Sequence, residues 1–467
     1  MLKDNSTSEP QDGRYIVLYF SLLAIVVKLT GMGIDTAWNL FRFLIIFFLA
    51  LSAWKLSGEF FSETKKRFTY LIVFLFGGGL GWTTVVLAPI FPLLSRLHST
   101  DLIYYLGYTV FSFMFHPLAM LSLGFILWET IFLTRWLSNE NPRHLVFAVG
   151  CFLLAFFNHP ASGVVGSILA GITFLYALWV RRKSDWVSFV WRNGIILGGG
   201  AVLIGLYLWW ARGDPVYVYH QAYYLSWERR EPFWMYPFAM GLPFVLGLFA
   251  LARVRFSREP VKVVSIIFFG SALLLSLMLP AGVKYLYLVY PAVVGFSIMG
   301  LHTLVEWIAE RFPHFHVKSW VWGAIVILVC ASVPFVVENR ATDIREGEQY
   351  FLTRGEDAAI HWLASQGEGI VLSSPPVGQV ISWRTHHLPY LAHGFLTMDY
   401  DKKQAELRTI LDKSVSLNQK QLLLSNARIS YVFYGPREKK IGELFLNLPL
   451  EEEYSNDDVV IYRVLTE

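Results

Sequence analysis

Charge is scarce in this sequence. Asp, Glu, Lys and Arg together make up 16% of its 467 residues, against roughly 25% in a typical soluble domain. With a net charge of only +4, no global pull toward nucleic acid exists, and no nucleic-acid partner is expected. Cysteine is scarcer still: Cys151 and Cys330 are the only two, and both lie in long apolar stretches. They read as small buried hydrophobes, not as a disulfide framework or metal cluster. A cleavable signal peptide is also missing from view. Residues 1–14, MLKDNSTSEPQDGR, form a polar N-terminal tail that looks flexible.

What the chain does have is apolar surface. Hydrophobic residues reach 55% and aromatics 16%, with 17 Trp, as expected where rings line both membrane–water interfaces. Apolar stretches long enough to cross a bilayer as helices run near 38–56, 68–91, 117–136, 145–158, 161–180, 188–210, 234–253, 263–280, 285–306 and 319–337. An eleventh segment, 15–31, carries Lys28 and ends at Gly31. It is either a further span or a helix lying in the interface. The expected fold class is therefore an α-helical multi-pass membrane domain of about 10–11 spans, over 15–337, followed by a small soluble α/β domain over 338–467.

Lys and Arg collect in clusters: Lys65-Lys66-Arg67, Arg135 with Arg143, Arg181-Arg182-Lys183, Arg253 to Lys262, and Arg311 with Lys318. All fall on one side when the ten spans are counted in order, and basic connectors stay in the cytosol. The opposite side receives the loops at 92–116, 211–233 and 281–284, and everything after about Val337. In that tail, 356–366 and 402–411 have helical spacing, while 369–373, 429–434 and 459–464 read as short strands. The turn SSPPVGQ lacks any glycine-rich phosphate-binding pattern.

Polar groups at a membrane edge are costly, so those on the outer side are the candidates for function. Asp35 precedes a span and Arg42 lies one to two helical turns inside it; His116-Pro117 and His159-Pro160 begin or join spans; His220, Arg229 and Arg230 sit in one outer loop; Lys284 and Tyr285 precede another span. Each also has a plain reading. His-Pro starts a helix, Asp35 caps one, Arg42 reaches toward headgroups along its stem, and Glu228 and Glu231 flank the arginine pair. Lys284 could hold a lipid phosphate. Glu129, toward the inner end of its span, is expected to reach the cytosolic interface or a neighbouring helix. The stretch GGGLGW from Gly77 to Trp82 falls inside the expected span 68–91 and reads as close helix packing.

Three stretches carry a family resemblance: GMGIDTAWNLFRFL, AGVKYLYLVYP, and the tail from WLASQGEGIVLSSPPVGQVISWRTHHLPYLAHG through DYDKKQAEL to ISYVFYGPRE. In these the chain resembles bacterial multi-pass glycosyltransferases of the GT-C superfamily. The resemblance implies a bacterial cytoplasmic (inner) membrane protein with an extracytoplasmic C-terminal domain. Its implied reaction moves a sugar from a polyprenyl-phosphate donor to an acceptor on the outer face. It places Lys284, Tyr285, Arg42, Arg229 and Arg230 against the donor phosphate, makes Asp35 the remaining candidate base, and leaves His116, His159 and His220 as cavity-lining groups. The superfamily's first span and acidic first loop have no counterpart here, so the chain reads as shortened, as inactive, or as completed by a partner. By the same comparison 15–31 is a juxtamembrane helix. A divalent metal is compatible with this chemistry, with no ligand set assigned. Membrane lipid, the lipid-linked sugar and a protein partner are the expected partners. Two other readings stay open: a non-catalytic scaffold whose outer domain binds a partner or glycan, and a transporter.

Overall fold

A computed structural model of the chain describes residues 7–14, 17–91, 116–180, 186–226, 235–253, 259–278, 285–312, 317–346, 351–394, 396–444 and 447–465. It divides into two compact units. The membrane unit comprises Ile16–Leu208 and Trp227–Asn339; the α/β unit comprises Met1–Tyr15, Trp209–Ser226 and Arg340–Glu467.

The membrane unit contains α1 (Leu18–Thr30), α2 (Ile34–Phe60), α3 (Thr64–Phe76), α4 (Gly81–Val86), α5 (Pro117–Asn139), α6 (Pro142–Asn158), α7 (Pro160–Val180) and the long α8 (Trp186–Ala211). After α9 (Pro215–Leu225), which belongs to the other unit, follow α10 (Met235–Arg253), α11 (Pro260–Met278), α12 (Leu286–Arg311), α13 (Val317–Val329) and α14 (Val333–Glu346). Among the described residues seven helices are long and apolar enough to cross a membrane, and three shorter ones are apolar. Burial ranks them. Every residue from Tyr285 to Ile298 is buried, so α12 is apolar all round and sits at the centre of its neighbours. In α8, Trp191, Ile195, Val202, Leu206 and Trp209 are exposed, which suits a lipid-facing helix.

The expected span 68–91 is not continuous. Helix α3 stops at Phe76, Gly77 to Leu80 are non-helical, and α4 begins at Gly81. The freed backbone groups are satisfied by other helices, as a membrane interior demands. Gly78 N donates to Val329 O at 2.9 Å and Leu80 N to Phe238 O at 3.0 Å. Ser332, between α13 and α14, donates through Oγ to Gly79 O at 3.1 Å and accepts from Trp82 N at 3.3 Å. Helix α10 is interrupted opposite this point: Gly241 has φ +60°, and a Cβ there would lie 2.8 Å from Gly79 Cα. Tyr290 donates to Val73 O at 3.2 Å while Tyr70 donates to Pro291 O at 3.1 Å, clasping α12 to α3. The glycines do serve close packing, since a Cβ on Gly77 would meet Tyr290 and Val329. They also end a helix, which hydropathy alone does not register. Both α3 and α13 run 13 residues before they break, or about 20 Å at 1.5 Å per residue. The bond from Gly78 N to Val329 O sets the two breaks side by side.

Three of the described basic residues lie around the turn between α2 and α3. Arg135 pairs with Glu59 at 2.8 Å, Arg67 lies over the Trp54 ring, and Lys65 lies over that of Trp322. Glu129 does not reach that turn. It is fully buried beside Gly166 of α7, and neither carboxyl oxygen has a hydrogen-bond partner among the described residues.

The α/β unit holds a five-stranded sheet ordered β2-β1-β3-β5-β4, formed by β1 (Ile370–Leu372), β2 (Leu388–Pro389), β3 (Ile429–Tyr434), β4 (Leu450–Ser455) and β5 (Val460–Val464). Strands β2, β1 and β3 pair in parallel; β5 and β4 join antiparallel. Val432 and Phe433, adjacent on β3, pack on opposite faces, and Ile429 joins Val432 because the β1–β3 register shifts between Ile429 and Tyr431. On the first face α17 (Tyr400–Leu411) and α18 (Leu417–Asn426) supply Leu407, Ile410, Leu411 and Leu424. On the second, α15 (Arg354–Leu363) and α16 (Pro375–Arg384) supply Ala359, Ile360, Leu363, Val377 and Ile381. The SSPPVGQ segment, expected as a turn, is the start of α16, with proline in the first helical turn, where a missing N–H costs nothing. A short α19 (Pro436–Ile441) carries the buried Glu438, which accepts from Ser374 N at 2.6 Å and Gly435 N at 3.0 Å.

The polar N-terminal tail is built into this unit from residue 7 onward. Thr7 is buried and accepts from Met398 N at 3.2 Å, and Glu9 pairs with Lys403. Arg14 donates from its backbone N to Asp214 at 3.1 Å and from Nη1 to Trp210 O at 3.1 Å. Arg14 and Glu9, which look solvated in the sequence, thus meet groups 200 and 394 positions away, whereas Asp12 pairs locally with Arg14.

Candidate functional site

Where α6 gives way to α7, proline sets the geometry. Pro160 has no N–H and disfavours a helical residue before it, and His159 accordingly takes an extended backbone, φ −148° and ψ 95°. The corner turns the imidazole toward the first turn of α7 and toward α12. His159 Nδ1 lies 2.9 Å from Ser162 Oγ, Ser162 Oγ lies 2.7 Å from Tyr287 Oη, and Tyr287 Oη lies 3.3 Å from His159 Nδ1. Ser162 and Tyr287 are buried, while the imidazole is partly open. A chain of hydroxyls between a ring nitrogen and a phenol can carry a proton in either direction.

The residue before the histidine fixes this corner. Asn158 is buried and donates through Nδ2 to Leu118 O at 2.6 Å and Ser122 Oγ at 2.8 Å, and its Oδ1 accepts from Tyr19 N at 3.2 Å. One amide thus ties α1, the first turns of α5 and the end of α6. Tyr19 in turn meets Trp38 and Phe41 edge to face at 5.1 and 5.8 Å, which links the corner to the stretch of α2 that carries Arg42.

Of the sequence-derived candidates, the structure brings His159 beside the first turn of α12, two residues from Tyr285. Tyr285 itself is buried. Arg42 is half-buried, its Nη1 3.5 Å from Asn39 Oδ1. Asp35 is exposed in the first turn of α2, and His116 is the residue preceding Pro117 at the start of α5. His220 is in the other unit, where its Nε2 donates to Leu396 O at 3.1 Å. Lys284, Arg229 and Arg230 lie outside the described residues. Among the described residues no group of three or more His, Cys, Asp or Glu comes together to hold a metal, so no ligand set is assigned and no step is derived through one. Ser162, Tyr287 and Asn158 were not singled out in the sequence. Their signal was available as polar side chains three or fewer positions from a His-Pro or Lys-Tyr pair inside apolar runs.

No family model matches the sequence, and no curated protein matches it significantly. Solved structures do match. The Archaeoglobus fulgidus oligosaccharyltransferase, tethered to an acceptor peptide containing the NVT sequon, superposes with a TM-score of 0.53 at 12% identity, covering 92% of this chain and 62% of that one. This chain has the fold of that transferase. The apo form of the same enzyme gives a TM-score of 0.50 over 99% of this chain and 68% of that one. Its complex with Zn and sulfate gives 0.50 over 97% and 65%. The chain spans about 62% of the length of the peptide-tethered enzyme.

Proposed function

We propose that the chain is a GT-C-type membrane glycosyltransferase that moves a sugar from a polyprenyl-phosphate donor to an acceptor outside the bacterial cytoplasmic membrane. The observation that carries the reading is the oligosaccharyltransferase fold extending over 92% of the chain. The polar corner at His159 adds to it. In the proposed reaction an acceptor nucleophile attacks the anomeric carbon, the bond from that carbon to the lipid phosphate oxygen breaks, and the phosphate leaves with the electron pair. Lys284, at the entry to α12, would meet the departing phosphate, with Arg42, Arg229 and Arg230 as further cations. The acceptor's proton would pass to a base. His159, relayed through Ser162 to Tyr287, is one such group, and Asp35 is an exposed carboxylate on the same unit. The acceptor peptide, zinc and sulfate of the archaeal enzyme suggest peptide acceptors and a divalent metal as the first additions to test.

The test is transfer of radiolabelled sugar from polyprenyl phosphate by the full chain in lipid nanodiscs, with and without divalent metal. Lys284→Ala is expected to lower the rate about 100-fold or more, as removal of a single oxyanion-type donor does elsewhere. His159→Ala is expected to lower kcat with KM little changed. Absence of transfer from every polyprenyl-phosphate sugar and acceptor offered would overturn the reading.

A further inference from the structure

The α/β unit carries an aromatic and acidic face remote in sequence from the His159 corner. Helix α9 places Tyr219 and Tyr223 four residues apart, hence on one face, with ring centroids 6.1 Å apart and planes inclined by 26°. His220 lies beside Tyr219. Facing them is the start of α17, where Asp399 N donates to Tyr219 Oη at 3.1 Å. Tyr400 follows immediately. All three tyrosines are half-exposed, and Asp399 is exposed.

Asp399 is unusual in two ways. It is the residue that begins α17, the position where Asp normally caps a helix, yet its side chain makes no capping hydrogen bond. Its backbone is left-handed, with φ 53° and ψ 37°, a conformation that an L-residue other than glycine adopts at a cost. The carboxylate is therefore turned away from the helix it could stabilise and toward solvent beside the tyrosines. The segment that holds it there is tied from both sides. Ala392 N donates to Thr397 Oγ1 at 3.0 Å, Leu396 O accepts from His220, and Met398 N donates to Thr7 of the N-terminal tail. Of the other nearby carboxylates, Glu9 pairs with Lys403 and Glu406 with the Tyr390 hydroxyl, while Asp401 lies beside Tyr400 in the first turn of α17.

We propose that Tyr219, Tyr223, Asp399 and Tyr400 form a carbohydrate-binding platform, which takes a pyranose ring against its aromatic side with Asp399 accepting from ring hydroxyls. The chemistry fits on three counts. A pyranose has an apolar C–H face that stacks on an aromatic ring and an edge of hydroxyls that need acceptors and donors. Burial pushes the Tyr219 and Tyr400 phenols above the usual tyrosine range, for Tyr219 against the opposing hydrogen bond from Asp399 N, so both stay protonated at neutral pH. Tyr219 and Tyr223 lie against each other, not around a void. They make an open shelf, unlike the enclosing faces by which aromatic cages hold a quaternary ammonium. A carboxylate pre-set by the fold, at the expense of a helix cap, loses little freedom when a ligand arrives.

The test needs no sugar donor, so it stands or falls apart from the transferase reading. The full chain in nanodiscs is probed by biolayer interferometry against immobilised oligosaccharides of hexoses, N-acetylhexosamines and uronic acids, with choline as a competing cation. Binding to at least one glycan is expected, weakened tenfold or more by Tyr223→Ala and by Asp399→Asn. Asp399→Gly relieves the left-handed strain and is expected to raise the unfolding temperature while also abolishing binding. A merely structural aspartate would not give that opposition. No binding across the glycan set, undiminished binding by Tyr223→Ala and Asp399→Asn, or displacement of bound glycan by millimolar choline would each overturn the proposal.

Discussion

Ser332 is the side chain on which the interrupted layer of the membrane unit most depends, and Ser332→Ala tests that layer. Its hydroxyl is fully buried, donates to Gly79 O and accepts from Trp82 N, so one atom closes the gap between α3 and α4. A buried backbone group deprived of its partner costs about 1–3 kcal/mol. Side-chain hydrogen bonds in membranes average only ~0.6 kcal/mol, because the unfolded reference finds other partners inside the bilayer. The larger figure applies here, since Gly79 O and Trp82 N sit where no helix continues and cannot be returned to an i to i−4 bond. A loss of about 2–6 kcal/mol is therefore expected for the two groups together. The assay is reversible unfolding by steric trapping in bicelles, comparing wild type with Ser332→Ala and Ser332→Thr. Threonine keeps the hydroxyl and should recover most of the loss. Hydrogen exchange at residues 78–82 should rise in the alanine variant only. A Ser332→Ala loss below about 0.5 kcal/mol, within the range of an ordinary surface change, would refute the reasoning. So would equal losses for alanine and threonine.

Two further outcomes follow from the geometry. Glu438 is buried, and that burial raises its pKa above the usual carboxylate value despite the hydrogen bonds from Ser374 and Gly435 that oppose the shift; the folded state thus binds this proton more tightly than the unfolded state, and its contribution falls as pH rises from the ordinary carboxylate range through the raised value. Glu438→Gln should flatten that fall in thermal unfolding of the full chain between pH 4 and 7, and parallel curves for the two proteins would contradict it. Helix α1 has 13 residues, about 20 Å against the roughly 30 Å of a bilayer core, and the tail before it is bound within the α/β unit. Cysteines placed at Asp12, Met32 and Lys413, in a chain with Cys151 and Cys330 replaced, should all react with an impermeant maleimide from the same side of sealed vesicles; labelling of Asp12 and Met32 from opposite sides would make α1 a span.

What could be read from the sequence was whatever depends on local periodicity. The long helices α2, α5, α7, α8, α11 and α12 fall where apolar runs predict them, because a backbone in lipid must satisfy itself and helices are the local way to do so. Strand β3 matches its expected bounds, 429–434, since Ile-Ser-Tyr-Val-Phe-Tyr has the branched and aromatic side chains that a buried pleat accommodates. Hydropathy failed where partners are distant. GGGLGW is apolar enough to pass for helix interior, and only Ser332, Phe238 and Val329, more than 150 residues further along the chain, allow it to leave the helix without penalty. The tail residues Thr7 and Glu9 look solvated until Met398 and Lys403 are known to face them.

The same distinction governs the candidate site. His159 could be selected from sequence because Pro160 fixes its backbone locally, whatever the rest of the fold does. Ser162 and Tyr287 could not be joined to it, since the 2.7 Å contact between them spans 125 positions and depends on α7 and α12 lying side by side. That dependence has a mechanistic consequence. In the proposed reaction Tyr287 would act through that contact as the far end of the relay from His159, so Tyr287→Phe should change the pH dependence of sugar transfer while leaving Lys284 in place. An unchanged pH profile would remove Tyr287 from the relay. Lys284 could be chosen for its charge alone; Tyr287 could be chosen only from the fold.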